Sequence, residues 1–544
     1  MLGYSAVALA LVASSAIAAP SSSSAEQRCS QLAKLAKARW KNNISIITNQ
    51  LYPDGTTLTE PTAIPEYSAP VPDLPAFCRF AANVTTSSAS KFKFELFLPV
   101  SWGGRFIMVG NGGMNGGVAY PDMWAPITKY HAAVASTNTG HDGSSIDGSW
   151  LINSSPGTQV DFGYRAVHMT TEYSKQLIKD FYKSSAKHSY WMGCSSGGKQ
   201  GLRELQQYPD TFDGVISGAA AQWWSHLNAW TYRVNAVVDA PGSPGNLGAK
   251  DYAVIGPEVR KQCDELDGLK DGIITNPRKC KPNLKTITCT TPGVNQSACI
   301  TPAQVQTMQN VWANWTASNG DFLYWGFEKG AEGNPFFSVT GNPFPPAPAY
   351  FLYQVLNKTQ PSTLNANETE IQRLLKIADA TDPGQTNAYK ADISPFFKKG
   401  GKLITYVGLG DALIPSGQTL GYYEAVRKVV PQTLFDQSYK MYAVPGMSHC
   451  AGGYAAWNFG GPGQRPDSQS GSSRPAVFDD KHDMALAMFK WVEKGTKPDF
   501  LIGSKYVNDD KRQGVQFQRP LCAYPQEPKY IGGDANKASS FKCV

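Results

Sequence analysis

A serine and a histidine, each beside a cysteine, are the residues of this chain best suited to chemistry. Gly193-Cys194-Ser195-Ser196-Gly197-Gly198 contains Gly-x-Ser-x-Gly, and Cys450 directly follows His449. If Cys194 and Cys450 are bonded, their Cα atoms lie roughly 4.4–6.8 Å apart. Ser195 and His449 each stand one residue, about 3.8 Å, from those atoms. The bond would bring a hydroxyl nucleophile within contact of a general base. The chemistry expected is that of a serine hydrolase.

The surrounding residues indicate how such a serine is positioned. Residues 189–192 read as a short strand, and a helix is expected through Leu202 and Leu205. A Gly-x-Ser-x-Gly between strand and helix is a strained turn that exposes the serine. The Ser196 N–H then sits at a helix N-terminus, suited to a developing oxyanion. A second donor is expected from the glycine-rich run Gly110-Asn111-Gly112-Gly113-Met114-Asn115-Gly116-Gly117. Gly112 or Gly113 would supply it, and Gly113 is the preferred choice. In the chain order Ser, Asp, His, the acid falls on Asp411, in Gly408-Leu409-Gly410-Asp411. It would fix the imidazole tautomer and stabilise the imidazolium. Simpler readings compete with each of these: a packing turn at the glycines, a turn or cap aspartate at Asp411. A reactive Cys194 thiol is a third alternative, disfavoured in an oxidising compartment.

Alternating Phe92, Phe94, Leu96 and Leu98 predict a half-buried strand, and 105–109 and 132–137 predict buried ones. Val167, Thr170, Tyr173, Leu177, Ile178 and Phe181 have helical spacing within 164–182. Residues 402–407 and 440–444 read as two further strands. Strands alternating with helices predict an α/β fold with a parallel sheet. Residues 235–393 are rich in Pro, Gly, Asn and aromatics and are expected to be an inserted domain. It would divide a catalytic domain into 20–234 and 394–544.

The 544 residues carry a formal charge of only +7 without a dense Lys/Arg run, which disfavours nucleic-acid and membrane-surface partners. Residues 1–19 resemble a secretory signal, with an apolar run ending in Ala16-Ile17-Ala18. No segment is long and apolar enough to span a bilayer. The ten cysteines are even in number, as expected of disulfides in an exported chain. Local spacing ranks Cys263–Cys280, Cys289–Cys299, Cys522–Cys543 and Cys29–Cys78 first, which leaves Cys194 and Cys450; spacing does not prove connectivity. Sequons at Asn43, Asn83, Asn153, Asn295, Asn314, Asn357 and Asn367 predict a secreted glycoprotein. In Cys263-Asp264-Glu265-Leu266-Asp267-Gly268-Leu269-Lys270-Asp271-Gly272, three aspartates suit Ca²⁺ or an Asx-capped polar turn equally well.

The residues around Ser195, Asp411 and His449 resemble the tannase and feruloyl esterase family of secreted fungal esterases. Gly112-Gly113, Thr139-Gly140-His141, Tyr164-Arg165-Ala166-Val167-His168, Tyr208-Pro209 and Phe212-Asp213-Gly214-Val215 carry the same resemblance. Lys199 departs from it, standing where the family often has arginine. The resemblance implies an α/β-hydrolase fold with a lid inserted between serine and aspartate, and a Cys194–Cys450 bond. It also implies structural calcium on Asp264, Asp267 and Asp271, with carbonyls from Leu269 and Ile273.

The activity so implied is hydrolysis of phenolic acid esters. Hydroxycinnamoyl esters of plant cell-wall polysaccharide come first and gallate esters (tannase) second. Trp325, Phe327, Phe336, Phe337, Phe344, Tyr350 and Phe351 are candidate ring contacts, each also a candidate for lid core. A catalytically dead glycan-binding scaffold is the non-enzyme alternative.

Overall fold

The computed structural model describes residues 22–114, 116–333, 344–464 and 475–544. The expected signal at 1–19 lies outside them. Its centre is a nine-stranded sheet. The strands are β1 (Ile44–Tyr52), β2 (Phe77–Ser87), β3 (Ser90–Pro99), β4 (Arg105–Val109), β5 (Ala133–Thr137), β6 (His188–Cys194), β7 (Gly214–Gly218), β8 (Lys402–Gly408) and β9 (Tyr439–Val444). Their spatial order is β1-β2-β3-β5-β4-β6-β7-β8-β9.

The sheet is mixed where a parallel one was expected. From β5 to β9 all neighbours run parallel, whereas β1, β2, β3 and β5 pair antiparallel. The reason is local: a tight turn joins Ser87 to Ser90, and so short a link can only return the chain antiparallel. Nor is β3 half-buried. Glu95 and Phe97, on the face opposite Phe94 and Leu96, are also fully buried. Phe97 packs on Phe77, and the Glu95 carboxylate accepts from Arg79 and from the Tyr120 hydroxyl. The alternation in β3 therefore separates two cores rather than core from water.

Those two cores lie on opposite faces of the sheet. Phe106, Met108, Trp191, Val215 and Leu403 enter one with Val167, Leu177, Ile178 and Phe181 of helix α1 (Ala166–Tyr182). Leu202 and Leu205 of α2 (Ser196–Gln207) join them. The intervening residues Ile107, Val109, Tyr190, Met192, Ile216 and Ile404 enter the other, against Met488, Phe489 and Trp491. Period-2 strands sandwiched by helices thus bury both faces, which is why β4 to β8 read as short apolar runs.

Between β7 and β8 the chain builds two further apolar clusters. One gathers Trp230, Trp315, Tyr324, Tyr350, Phe351 and Leu374, and the other Ile255, Val259, Ile274, Ile300 and Met308. The first also takes in Trp224 and Leu227, ahead of residue 235. Ala388 and Ile393, near the expected far boundary, already pack in the main core. Helix α3 (Trp224–Arg233) therefore links the two regions.

Five disulfides are formed: Cys29–Cys78, Cys194–Cys450, Cys263–Cys280, Cys289–Cys299 and Cys522–Cys543. Among the described residues no helix is long and apolar enough to cross a membrane.

Candidate active site

Ser195 stands at the turn between β6 and α2 with φ 62° and ψ −126°. A non-glycine residue in that region costs roughly 1–3 kcal/mol. Backbone bonds hold it there: Ser195 N–H donates to Gly218, and Ser195 C=O accepts from Lys199 and Ala221. The turn also needs bare backbone. A Cβ on Gly193 would lie 2.4 Å from the Gly197 oxygen, and one on Gly110 would lie 2.5 Å from Gly197 Cα. The glycines of the motif thus let three segments touch, and one of them is the glycine-rich run after β4.

Across from the serine, Asp411 follows β8 and is buried. Its Oδ1 accepts from the N–H groups of Leu413 and Ile414, each at 2.9 Å. Its Oδ2 accepts from His449 Nδ1 at 2.8 Å. A carboxylate only accepts, so Nδ1 carries the proton and, in the neutral ring, Nε2 is a bare acceptor. Nε2 is buried and has no hydrogen-bond partner among the described residues. The Cys194–Cys450 bond holds its Cα atoms 6.1 Å apart and ties the histidine loop to the serine turn. Ser195, His449 and both cysteines line one cavity. No hydrogen bond joins Ser195 to His449 in this resting arrangement. Hydrogen bonds of this kind are commonly loose before substrate arrives.

Ser196 and Gly113 line the same cavity. Ser196 Oγ donates to the Gly113 carbonyl at 2.6 Å, which turns that carbonyl toward the helix start. The two glycines differ in what their amides meet. Gly112 N–H is spent on the Tyr67 hydroxyl at 2.9 Å, while Gly113 N–H meets no acceptor among the described residues.

The cavity holds about 490 Å³ and its walls are mainly apolar. One wall is a stripe of α3, Trp224, Leu227, Asn228 and Thr231, at the i, i+3, i+4, i+7 spacing of a helix face. Met192, Ile146, Leu413 and Ile414 add aliphatic surface. Of the seven aromatic residues expected as ring contacts, Phe344 lines the cavity. Tyr350 and Phe351 are core, and Trp325 and Phe327 pack against other aromatics. Phe336 and Phe337 lie outside the described residues. The α3 stripe was missed from sequence although its spacing was readable; Glu66 and Tyr67, far away in the chain, gave no local sign.

The carboxylates proposed for calcium occupy one turn, closed by Cys263–Cys280. Asp264 Oδ1 accepts from the amides of Asp271, Gly272 and Ile273. Asp267 accepts from Leu269 N–H and the Thr275 hydroxyl, and Asp271 pairs with Arg519 at 2.6 Å. The donors have the hard-oxygen chemistry calcium prefers. Their present geometry is that of an amide-capped turn: among the described residues no three His, Cys, Asp or Glu side chains gather as a metal would require.

Comparison with known proteins bears on the whole chain. It is 35% identical over 538 residues to a probable feruloyl esterase B-1 of Neosartorya fischeri, covering 97% of this chain and 98% of that one. It superposes on the crystal structure of feruloyl esterase B from Aspergillus oryzae with a TM-score of 0.84 at 32% identity, covering 96% of this chain and all of that one. The tannin acyl hydrolase of Aspergillus niger shares the fold, with a TM-score of 0.68 at 20% identity and 95% of each chain covered. The sheet, helices and serine turn are accordingly those of an α/β-hydrolase fold. Residues 78–342 and 350–544 match the tannase and feruloyl esterase family, and with a match of that extent the chain belongs to this family of carboxylic ester hydrolases.

Proposed function

We infer that this chain hydrolyses esters of phenolic acids through Ser195, His449 and Asp411, with an acyl-enzyme intermediate. The observation that carries the reading is the His449–Asp411 pair: His449 lines one cavity with Ser195, and its Nε2 has no partner among the described residues. His449 Nε2 takes the Ser195 proton as Oγ attacks the ester carbonyl. The negative oxygen of the tetrahedral intermediate is held by the N–H groups of Ser196 and Gly113. His449 returns the proton to the departing alcohol, leaving the acyl group on Oγ. A water then repeats the sequence, and the free acid leaves. Asp411, fixed by two amides and stripped of water, keeps the ring aimed and stabilises its cationic form.

Ferulate and related hydroxycinnamates are the preferred acids, since the relatives that cover nearly the whole chain are named for feruloyl esters. A flat ring fits between Trp224, Phe344 and the aliphatic wall. The alcohol side is plant cell-wall polysaccharide, reached by a secreted, glycosylated enzyme. Six of the seven sequon asparagines are exposed, which supports glycosylation, and Asn83 is half-buried. Calcium belongs to the same reading. Asp264, Asp267 and Asp271, with the Leu269 and Ile273 carbonyls, would hold it, and it would stiffen the turn; no step of ester cleavage passes through it.

The test is a rate comparison of methyl ferulate, methyl caffeate, methyl p-coumarate and methyl gallate with wild type and Ser195→Ala. Methyl ferulate should lead and the variant should be inert. Turnover that survives Ser195→Ala would refute the mechanism, and a preference for gallate would move the substrate to the tannase class.

A further inference from the structure

The inferred oxyanion hole leans on a three-residue turn remote from it in sequence, Pro65–Tyr67. Tyr67 is buried, and its hydroxyl accepts the Gly112 N–H at 2.9 Å. Glu66 Oε1 accepts from Ser144 Oγ at 2.6 Å, Ser145 N–H at 2.9 Å and Ser145 Oγ at 2.8 Å. Ser145 is in turn the floor beneath the glycine loop. Its carbonyl accepts from Met114 N–H at 2.9 Å, and a Cβ on Gly113 would come within 2.5 Å of it. From the opposite side Ser196 Oγ donates to the Gly113 carbonyl.

Glycines leave the peptide between Gly112 and Gly113 without side chains to fix its rotation. Gly110, Gly112, Gly113 and Gly116 offer little side-chain resistance to rotation, and Gly113 has φ 53°. Two adjacent free amides on such a backbone would compete for the substrate oxygen. Tyr67 removes one of them. Without its hydroxyl, the half-buried Gly112 N–H would lose its acceptor and be left facing the cavity. The peptide would gain by swinging to satisfy it.

We propose that Tyr67 is a positioning residue of ester hydrolysis: by accepting the Gly112 N–H it leaves Gly113 N–H as the oxyanion donor and fixes where that donor points. Glu66 secures the floor on which the loop rests. The proposal rests on the serine-esterase reading above.

The experiment uses Tyr67→Phe, which removes only the oxygen, and compares methyl ferulate with its thionoester, in which sulfur replaces the carbonyl oxygen. Sulfur accepts hydrogen bonds poorly, so the thionoester draws little from an oxyanion hole. Loss of a whole donor lowers kcat about 10²–10³-fold, and a misaimed donor should lower it about tenfold for methyl ferulate with KM nearly unchanged. The thionoester rate should fall less than about twofold, so the oxo-to-thiono ratio collapses. Ser145→Ala, which trims one bond to Glu66, should move the ratio the same way by less, and serves if Tyr67→Phe folds poorly. An equal loss on both esters, or an unchanged ratio in both variants, would overturn the proposal. Wild-type turnover independent of Ser195 would instead sink the parent reading.

Discussion

At the scale of single residues, function depends on what each polar atom has left to offer. Asp411 spends one oxygen on two amides and the other on His449, so it cannot rotate away from the ring. Asp411→Asn keeps the shape but offers an amide where the ring must donate; kcat on methyl ferulate should fall about 10⁴-fold, measured under saturating substrate. Lys199 is a different case. Its ammonium is buried behind the cavity wall, 4.3 Å from the Trp224 ring centre and 4.7 Å from that of Phe162. Asp382 and Arg203 are the charged groups that act on it. Burial pulls its pKa from 10.5 down to about 7. Between those values the unfolded chain binds a proton that the folded chain does not. Stability therefore rises with pH across that window and levels off below it. Lys199→Met should lack this slope, and thermal melts of both proteins from pH 6 to pH 10 would reveal it. A parallel pH dependence in the two would count against the assignment.

At the scale of elements, one cavity wall is bare backbone and the facing wall is the α3 stripe. Leu227→Phe should narrow the acyl site, lowering kcat/KM for methyl ferulate by about tenfold while leaving a short acetyl ester nearly unaffected. Equal losses on both esters would mean the stripe does not meet the acyl group. Elements were legible where local pattern suffices. Strand β4 has the bounds its apolar run predicts, and α1 buries the spaced residues Val167, Leu177, Ile178 and Phe181. The serine turn was readable because its glycines are forced by backbone contact, and the Asp411 and His449 loops because each follows a strand. What stayed hidden depends on distant partners. The β1–β2 and β3–β5 pairings, the burial of Phe97 in a second core and the hydroxyl of Tyr67 against Gly112 are long-range contacts that no window of sequence contains. Aromatic content could not separate core from wall for the same reason: Tyr350 and Phe351 lie in the same sequence region as Phe344, yet they are core and it is wall.

At the scale of the molecule, crosslinks reinforce the packed cores, with Cys29–Cys78 in one face of the sheet and Cys263–Cys280 in the region between β7 and β8. The Cys263–Cys280 turn is joined to the C-terminal strands by the Asp271–Arg519 pair. If calcium occupies it, excess Ca²⁺ should raise the melting temperature by several degrees over a chelated sample, with little change in kcat on methyl ferulate. Identical melts in both would remove the ion from the account. Cys194–Cys450 spans 256 residues and fastens the His449 loop to the Ser195 turn. Cys194→Ser with Cys450→Ser should lose most turnover, and near-normal rates would refute the tether. If Ser195 and His449 act as inferred, the bond also sets when the enzyme can act. A newly made polypeptide with both thiols still reduced would then lack the covalent tether between the Ser195 turn and the His449 loop, and would be a latent form. If the chain is exported, competence would arrive with oxidation along that route, and a graded dithiothreitol titration should switch it off again before the fold is lost.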